Sequence, residues 1–391
     1  MAPMTQKRVS ILGATGSVGL AAVDLIQGAP ERFRTEAVAG GSNAAALAAV
    51  ARTTGARFVA IADPGQYGAL RAACAGLDAE LAAGPDAVIE AALRPADVVI
   101  AAIVGIAGLA STLAACRPGV TIALANKEAL VSAGPVVLAR AAAAGATILP
   151  VDSEHSALFQ VYEPTRAHAV ASLTLTASGG PFRDWSTARM AEVRVEDALK
   201  HPNWDMGAKI TIDSATMFNK GLELIEAARL FPLPEDRIEI VVHPQSIIHG
   251  FATYRDGSVM AQMGAPDMRT PIAVALAWPD RMETPVARLN LAAIGSLTFE
   301  APDPERFPAL ALARAALRAG ADRPAILNAA NEAAVAAFLD RRIAFLDIAA
   351  IVAETLAAVP QGPAATLDDV MAADAAARRF AAAAINRRRA A

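Results

Sequence analysis

The sequence predicts an α/β protein whose N-terminal domain is a doubly wound, Rossmann-like parallel sheet, followed by an α/β catalytic domain and a C-terminal helical domain. Three observations carry this. Residues 1–150 alternate short β-rich runs with Ala-rich helical stretches, the pattern of repeated βα units. A glycine-rich turn, GATGSVG, joins the first apolar run to the first helix. From about residue 312 the pattern is helical throughout: ALARAALRAG, AILNAANEAAVAAFLD, DIAAIVAETLAAV and DDVMAADAAARRFAAAAINRRR.

In order, RVSILG (8–13) is strand one and VGLAAVDLIQ (18–27) the helix after it. TEAVAG (35–40), RFVAIA (57–62), DVVIAA (97–102), VTIALA (120–125) and ATILPV (146–151) continue the series. Residues 98–116, VVIAAIVGIAGLASTLAAC, carry no charge and reach the length of a membrane span. Gly105 and Gly108 interrupt them, Pro118 follows, and a βα unit is due there. They are read as a buried strand at about 97–103, a Gly turn and a helix. After 151, SLTLTAS (172–178), KITID (209–213), IEIVVHP (238–244) and SVMAQMG (258–264) are read as strands of a second sheet, with one helix at about 214–230. The expected organisation is a dinucleotide-binding domain at 1–150, a catalytic domain at 151–282, a Pro-rich linker at 283–311 and a helical domain at 312–391.

With 391 residues, 54% hydrophobic and few aromatic, the chain fits a compact enzyme with real cores rather than a disordered chain. A net charge of −4 gives no basis for nucleic-acid binding, and the arginines at 387–389 are read as a frayed tail. Cys74 and Cys116 have no metal-ligand spacing and no CxxC partner, as expected of buried thiols in a reducing, cytoplasmic compartment.

Gly13 permits the tight turn after strand one, and Gly16 lets backbone approach a pyrophosphate at the helix N-terminus. An acid after strand two would grip a ribose 2′-hydroxyl. The chain has Gly40, Gly41, Ser42 and Asn43 there, which favours NADP over NAD. LANKEAL (124–130) brings Asn126, Lys127 and Glu128 to a strand's carboxyl end, where ligands bind in such sheets. Lys127 either contacts phosphate or ribose, or forms a solvated pair with Glu128. In VDSEH (151–155), Asp152 and Glu154 share one face of an extended chain. Paired carboxylates call for a cation between them, and all-oxygen ligands suit Mg²⁺ or Mn²⁺ rather than Zn²⁺. The alternative is a helix N-terminus, where acids complement the dipole.

On the 214–230 helix, Asn219, Lys220 and Glu223 share one face, which points into a wet cleft or out to solvent. HPNWDMG (201–207) is a loop by composition. Its Trp204 and Met206 are lid residues, or Trp204 is a core anchor. His243 and His249 frame HPQSIIH, and His243, before a proline, is the better structural histidine.

GATGSVG, AAIVGIAGL, LANKEALV, VDSEHSALFQ, SGGPF, HPNWDMGAKITIDSATMFNKGLELIEA, HPQSIIHG and GAPDMRTPI, in this order, resemble the 1-deoxy-D-xylulose 5-phosphate reductoisomerase family. The likeness runs from about residue 8 to the C-terminal helices, and the long middle motif is highly specific. It implies a homodimer that uses NADPH and Mg²⁺ or Mn²⁺ on a small phosphosugar, without nucleic acid or membrane. The metal ligands implied are Asp152, Glu154 and Glu223. The catalytic set implied is Asp152, Glu154, Glu223, Lys127 and His201. Substrate contacts implied are Ser153, Glu154, Ser178, His201, Ser214, Asn219, Lys220 and Glu223, with phosphate held chiefly by Ser178, Ser214, Asn219 and Lys220. Trp204 and Met206 match a mobile flap near 200–208, His249 a histidine near the site, and Glu226 an acid beside the metal ligands. Cofactor positions implied are Gly13, Thr15, Gly16, Ser17, Val18, Gly41, Ser42, Asn43, Asn126, Lys127, Glu128 and Gly207. Family members often have Lys or Arg where this chain has Ser42. The chemistry implied is a retro-aldol/aldol rearrangement, then hydride delivery, giving 2-C-methyl-D-erythritol 4-phosphate for non-mevalonate isoprenoid synthesis.

Two other classes are weighed. Another NADP-linked dehydrogenase of a small phosphorylated or carboxylated substrate is one, but a semialdehyde dehydrogenase would need a nucleophilic Cys between its domains, and both Cys lie in the N-terminal half. A non-catalytic NADP sensor would not need the carboxylate set.

Overall fold

The computed structural model describes residues 6–204 and 206–389. Strands β1 (Lys7–Leu12), β2 (Phe33–Gly40), β3 (Phe58–Ile61), β4 (Glu80–Ala83), β5 (Val98–Ala101), β6 (Thr121–Leu124) and β7 (Thr147–Pro150) alternate with helices α1 (Ser17–Gln27), α2 (Ala44–Thr54), α3 (Tyr67–Ala73), α4 (Pro85–Leu93), α5 (Leu109–Ala115), α6 (Lys127–Ala144) and α7 (Ser153–Val161). After β8 (Val170–Ala177) come α8 (Thr187–Met190), α9 (Val195–Ala198), α10 (Ala208–Ala215) and α11 (Phe218–Leu230). Then follow β9 (Ile238–Val242), β10 (Ile248–Tyr254), β11 (Val259–Met263) and helices α12 (Arg269–Ala277), α13 (Leu291–Ile294), α14 (Ala309–Ala319), α15 (Arg323–Leu339), α16 (Asp347–Ala358) and α17 (Leu367–Arg389).

Contacts divide the chain into two units. The first comprises residues up to Ala129, Val137–Ser156 and Asp267–Val286. Its seven strands lie in the order β4-β3-β2-β1-β5-β6-β7, with parallel pairing at every step. The chain winds outward from β1 to β4, then returns to start β5 on β1's other side. That reversal opens a crevice at the carboxyl ends of β1 and β5. β1 and β5 are buried apolar runs such as Val9, Ile11, Leu12, Val99 and Ile100, as a sheet covered on both faces requires. Edge strand β4, ELAA, was not expected. It lacks β-branched residues and its side chains are only partly buried. Helix α12 completes this unit. Lys7 Nζ donates to the Leu276 and Trp278 carbonyls at 3.1 Å, and Arg269 pairs with Asp24 on α1 at 2.9 Å.

The second unit comprises Leu130–Val136, Ala157–Pro266 and the chain from Ala287 onward. Its four-stranded sheet has the order β11-β10-β8-β9, with β8–β9 parallel and the other pairs antiparallel. Helix α11 is enclosed. Leu224 and Ala227 join a core with Leu173, Leu175 and Ile238 of the sheet. Leu222 and Ile225 join a second core with Ala313, Leu327, Phe338, Ile351 and Ile385 of the C-terminal helices.

Four sequence expectations are corrected. KITID (209–213) is helical, within α10, not a strand. Its β-branched residues are overruled by burial of Thr211, Ile212 and Ala215 on one side of a helix. The single helix expected at 214–230 is two. Met217, with φ +64°, breaks the run, and Phe218 starts the next helix. Asp152 and Glu154 do not lie in extended chain. Ser156 N–H donates to the Asp152 carbonyl at 2.8 Å, so Asp152 precedes the first turn of α7 and Glu154 lies in it. Arg387 and Arg388 are not a frayed tail. Both lie in α17, where Arg388 pairs with Asp347 and Glu354. In addition β10 was not foreseen, and the expected linker contains α13 and a bridge from Glu300 to Val242.

Candidate active site

In the first unit, the crevice between β1 and β5 is a cleft of about 390 Å³, lined by Gly13, Gly16, Gly40, Gly41, Ala102 and Ile103 among others. Gly13 has φ +89°, and a Cβ there would sit 2.5 Å from the Ala102 carbonyl oxygen. Only glycine lets the two strand ends approach so closely. Gly16 precedes α1, whose first N–H groups carry no side-chain cap and suit an anion. Thr15, Ser17 and Val18 flank this turn, with Ser17 exposed. The narrow, small-residue floor fits the close backbone approach of a pyrophosphate, and no acid is among its lining residues.

Gly41, Ser42 and Asn43 are exposed at the end of β2. Asn43 caps α2, its Oδ1 accepting from Ala46 N–H at 3.0 Å, a contact that does not use its amide nitrogen. Sequence reasoning missed Asp63. Its backbone N–H donates to the Gly41 carbonyl at 3.1 Å, but its carboxylate turns back to Gly65 N–H at 2.9 Å. Asn126 is buried and structural in its contacts: Oδ1 caps α6 at Ala129 N–H (3.2 Å) and Nδ2 donates to the Gly105 carbonyl (3.1 Å).

Lys127 and Glu128 open α6 and are both buried, so the solvated Lys–Glu pair is excluded. The Lys127 ammonium instead lies 2.5 Å from Asp152, and His155 Nδ1 lies 3.6 Å from the same carboxylate. Burial alone would raise the Asp152 carboxyl. The Lys127 and His155 charges outweigh it and hold Asp152 well below the usual carboxylate range. Ser153 Oγ donates to Glu154 at 2.6 Å.

In the second unit, α11 carries the densest charge. Lys220 is 3% exposed and Glu223 0%. Lys220 donates to one Glu223 oxygen and Asn219 Nδ2 to the other, at 2.5 Å. Three residues further along α11, Glu226 is also buried. Charges are almost never fully buried in a helix that could present them to water, so the solvated-face reading fails.

Ser178 follows β8, and Ser214 lies in the last turn of α10. His201 Nε2 meets both hydroxyls, at 3.0 Å and 3.1 Å. Its Nδ1 accepts from the backbone N–H groups of Asn203 (3.2 Å) and Trp204 (3.0 Å). Trp204 is half-buried, its ring edge-on to His249 at 6.1 Å between centroids, while His249 Nε2 bonds the Gly264 carbonyl at 3.2 Å. Met206 is half-buried and Gly207 exposed. Position 205 of the expected flap lies outside the described residues. His243 is structural: Nδ1 donates to the Thr298 carbonyl at 2.9 Å and Nε2 accepts from Ile247 N–H at 3.2 Å.

Two anchors were visible only in three dimensions. Asn203 Nδ2 ties the flap to the Pro244 carbonyl (2.6 Å) and Ser246 (2.9 Å). Buried Asp213 ties α10 to Asn331 of α15 at 2.7 Å, with Lys209 at 2.8 Å.

Family models described as 1-deoxy-D-xylulose 5-phosphate reductoisomerase match residues 9–134, its C-terminal domain residues 148–231, and the DXP reductoisomerase C-terminal domain residues 263–380. The chain belongs to the 1-deoxy-D-xylulose 5-phosphate reductoisomerase family. A reductoisomerase of Rhodospirillum centenum is 58% identical over 375 residues, 96% of this chain and 93% of that relative. The solved reductoisomerase of Zymomonas mobilis in complex with NADPH is 52% identical, with a TM-score of 0.92 over 97% of this chain and 99% of that one. A second solved reductoisomerase, in complex with NADPH, fosmidomycin and magnesium, is 44% identical, with a TM-score of 0.92 over 97% and 98%. The three matched spans of the reductoisomerase family take in every candidate residue named above except His249. Membership removes the unrelated-dehydrogenase and sensor readings. Among the described residues no helix is long and apolar enough to cross a membrane.

Proposed function

We propose that this reductoisomerase uses NADPH and a divalent cation, Mg²⁺ or Mn²⁺, to rearrange and reduce 1-deoxy-D-xylulose 5-phosphate to 2-C-methyl-D-erythritol 4-phosphate. The observation that carries the reading is the fully buried Lys220–Glu223 stripe on α11, beside Asn219. A buried ion pair contributes little to stability and is costly to assemble, and a substrate explains it. Related structures solved with NADPH, fosmidomycin and magnesium support it.

Asp152, Glu154 and Glu223 are the proposed cation ligands. Their all-oxygen donor set suits a hard cation. Such a cation supplies Lewis-acid polarisation of neighbouring substrate oxygens, and NADPH supplies hydride. Lys127 and Lys220 each neutralise part of the carboxylate charge, and Lys127 keeps Asp152 ionised. Ser178, Ser214, Asn219 and Lys220 grip the phosphate, and that remote binding energy positions the reacting carbons. Trp204 and Met206 close over the substrate and exclude water.

Residues 1–150 serve the cofactor, 151–282 the chemistry with the flap near 200–208, 283–311 the connection, and 312–391 brace α10 and α11. The chain works in the cytoplasm as a homodimer. Edge strand β11, with Val259 55% and Met260 52% exposed, offers an apolar edge suited to a second copy. The deciding experiment is NADPH oxidation with deoxyxylulose phosphate, with and without Mg²⁺ or Mn²⁺. Metal-dependent turnover yielding the branched alcohol is expected; no turnover with metal present overturns the reading.

A further inference from the structure

His201 is bonded on both sides. Its Nδ1 accepts two backbone N–H groups of the flap, from Asn203 and Trp204. Nitrogen that accepts cannot carry the proton. The ring is therefore neutral at Nδ1 and protonated at Nε2, because only that form satisfies these contacts. Nε2–H then points at two serine oxygens, Ser178 at 3.0 Å and Ser214 at 3.1 Å. Ser178 Oγ already accepts from Gly180 N–H at 3.2 Å. With both lone pairs engaged, the Ser178 hydroxyl hydrogen has nowhere to go but outward, as a donor.

We propose that His201 is a tautomer lock, through which the folded flap turn fixes Ser178 and Ser214 as hydrogen-bond donors to a phosphate monoester. The opposite tautomer would aim an Nδ1–H at two N–H groups and let both serines donate into the ring. Their oxygens would then repel an anion instead of binding it. The flap turn at 201–204 thus sets the proton arrangement of the pocket. When the turn breaks, Nδ1 loses these two donors, and the pocket loses the part of its preference for an anion that they impose. Flap order and phosphate affinity are two faces of one proton position. The proposal rests on the reading of Ser178 and Ser214 as phosphate contacts.

The test uses the full-length enzyme with ring-¹⁵N histidine. The chain has five histidines, and the His201 signals are assigned by their loss in His201→Gln. Nitrogen shifts of the Nε2–H form are expected at neutral pH with inorganic phosphate present. Two variants split the two sides of the ring. His201→Asn places an acceptor where Nδ1 stands and removes the serine contact. His201→Gln places an N–H where Nε2 stands and removes the acceptor. Inorganic phosphate should compete with substrate about tenfold more weakly in His201→Asn than in His201→Gln, the cost of lost charge-directed hydrogen bonds. Amide exchange at Asn203 and Trp204 should be slow in His201→Asn and fast in His201→Gln. An Nδ1–H or doubly protonated ring in the parent overturns the lock, and so does equal behaviour of the two variants. Failure of phosphate to compete with substrate in the parent would instead overturn the phosphate pocket itself.

Discussion

The Lys127 ammonium lies 2.5 Å from the Asp152 carboxylate, with side chains 6% and 12% exposed. Each charge depends on the other, because neither has enough water around it to stand alone. Lys127→Met is expected to destabilise the protein by about 3 kcal/mol at pH 7. Asp152 sits below its ordinary value in the parent. A carboxyl so depressed contributes stability that is present above the ordinary value and lost as pH falls through the folded one. The variant lacks the larger of the two depressing charges, so the gap between parent and variant is widest near neutrality and closes in acid. Urea midpoints at pH 7 and below the ordinary carboxylate range measure this; a pH-independent gap would contradict it.

Glu223→Gln should keep the circular dichroism of the parent while lowering kcat on the order of 100- to 1,000-fold. Its melting temperature should also fall, because Lys220 loses its charged partner. Full turnover in the variant, or in the parent with excess chelator, would remove Glu223 from the cation ligands.

Lys220→Ala should raise KM for deoxyxylulose phosphate by about 10- to 100-fold, the loss of a charge-assisted contact. Reaction with unphosphorylated deoxyxylulose, slow in both proteins, should fall much less, by only the loss of the charge that Lys220 lends Glu223. Equal kinetics on the phosphorylated substrate would return Lys220 to a structural role.

Gly13→Ala forces a Cβ to 2.5 Å from the Ala102 carbonyl oxygen at φ +89°. A stability loss of about 1–3 kcal/mol is expected, with weaker NADPH binding measured by fluorescence titration. Unchanged affinity would mean that the β1 turn is not the pyrophosphate cradle.

Ser42 carries no charge for a 2′-phosphate, but nearby N–H groups and the Asn43 amide still donate. Hydrogen bonds to a charged group contribute about 1.5–3 kcal/mol each, so NADPH should win over NADH, and Ser42→Arg should widen the margin. Steady-state kcat/KM for both cofactors decides it; parity in the parent would move the 2′-phosphate elsewhere.

The strands of the first sheet were legible because buried parallel strands read as near-continuous apolar runs such as VSIL and VVIA. β4 was not, since an edge strand needs neither β-branching nor full burial. The helix of KITID was hidden for a different reason. Its Ile and Thr favour strands, and the deciding contacts, Ile212 in the core and Asp213 on Asn331, come from residues far along the chain. The motif positions of the site were legible as residue types, but the burial of Lys220 and Glu223 was not. Helical spacing cannot distinguish a solvated stripe from one enclosed by a sheet and a distant bundle. Asp63 escaped notice because its place beside Gly41 is set by strand pairing between β2 and β3 rather than by proximity in sequence.

Helix α12 has a consequence for how the protein is made. The cofactor-binding sheet is encoded by residue 150, yet the partner that holds Lys7 and Asp24 lies at Arg269–Trp278. On the ribosome, the first unit emerges with α1 lacking that cover, and the whole second sheet must be synthesised before α12 arrives. A nascent chain stalled near residue 150 should therefore be a protease-sensitive intermediate, and one released past residue 286 should resist digestion across α1. Vectorial synthesis turns a non-contiguous unit into a waiting time that no rearrangement of its contacts can shorten.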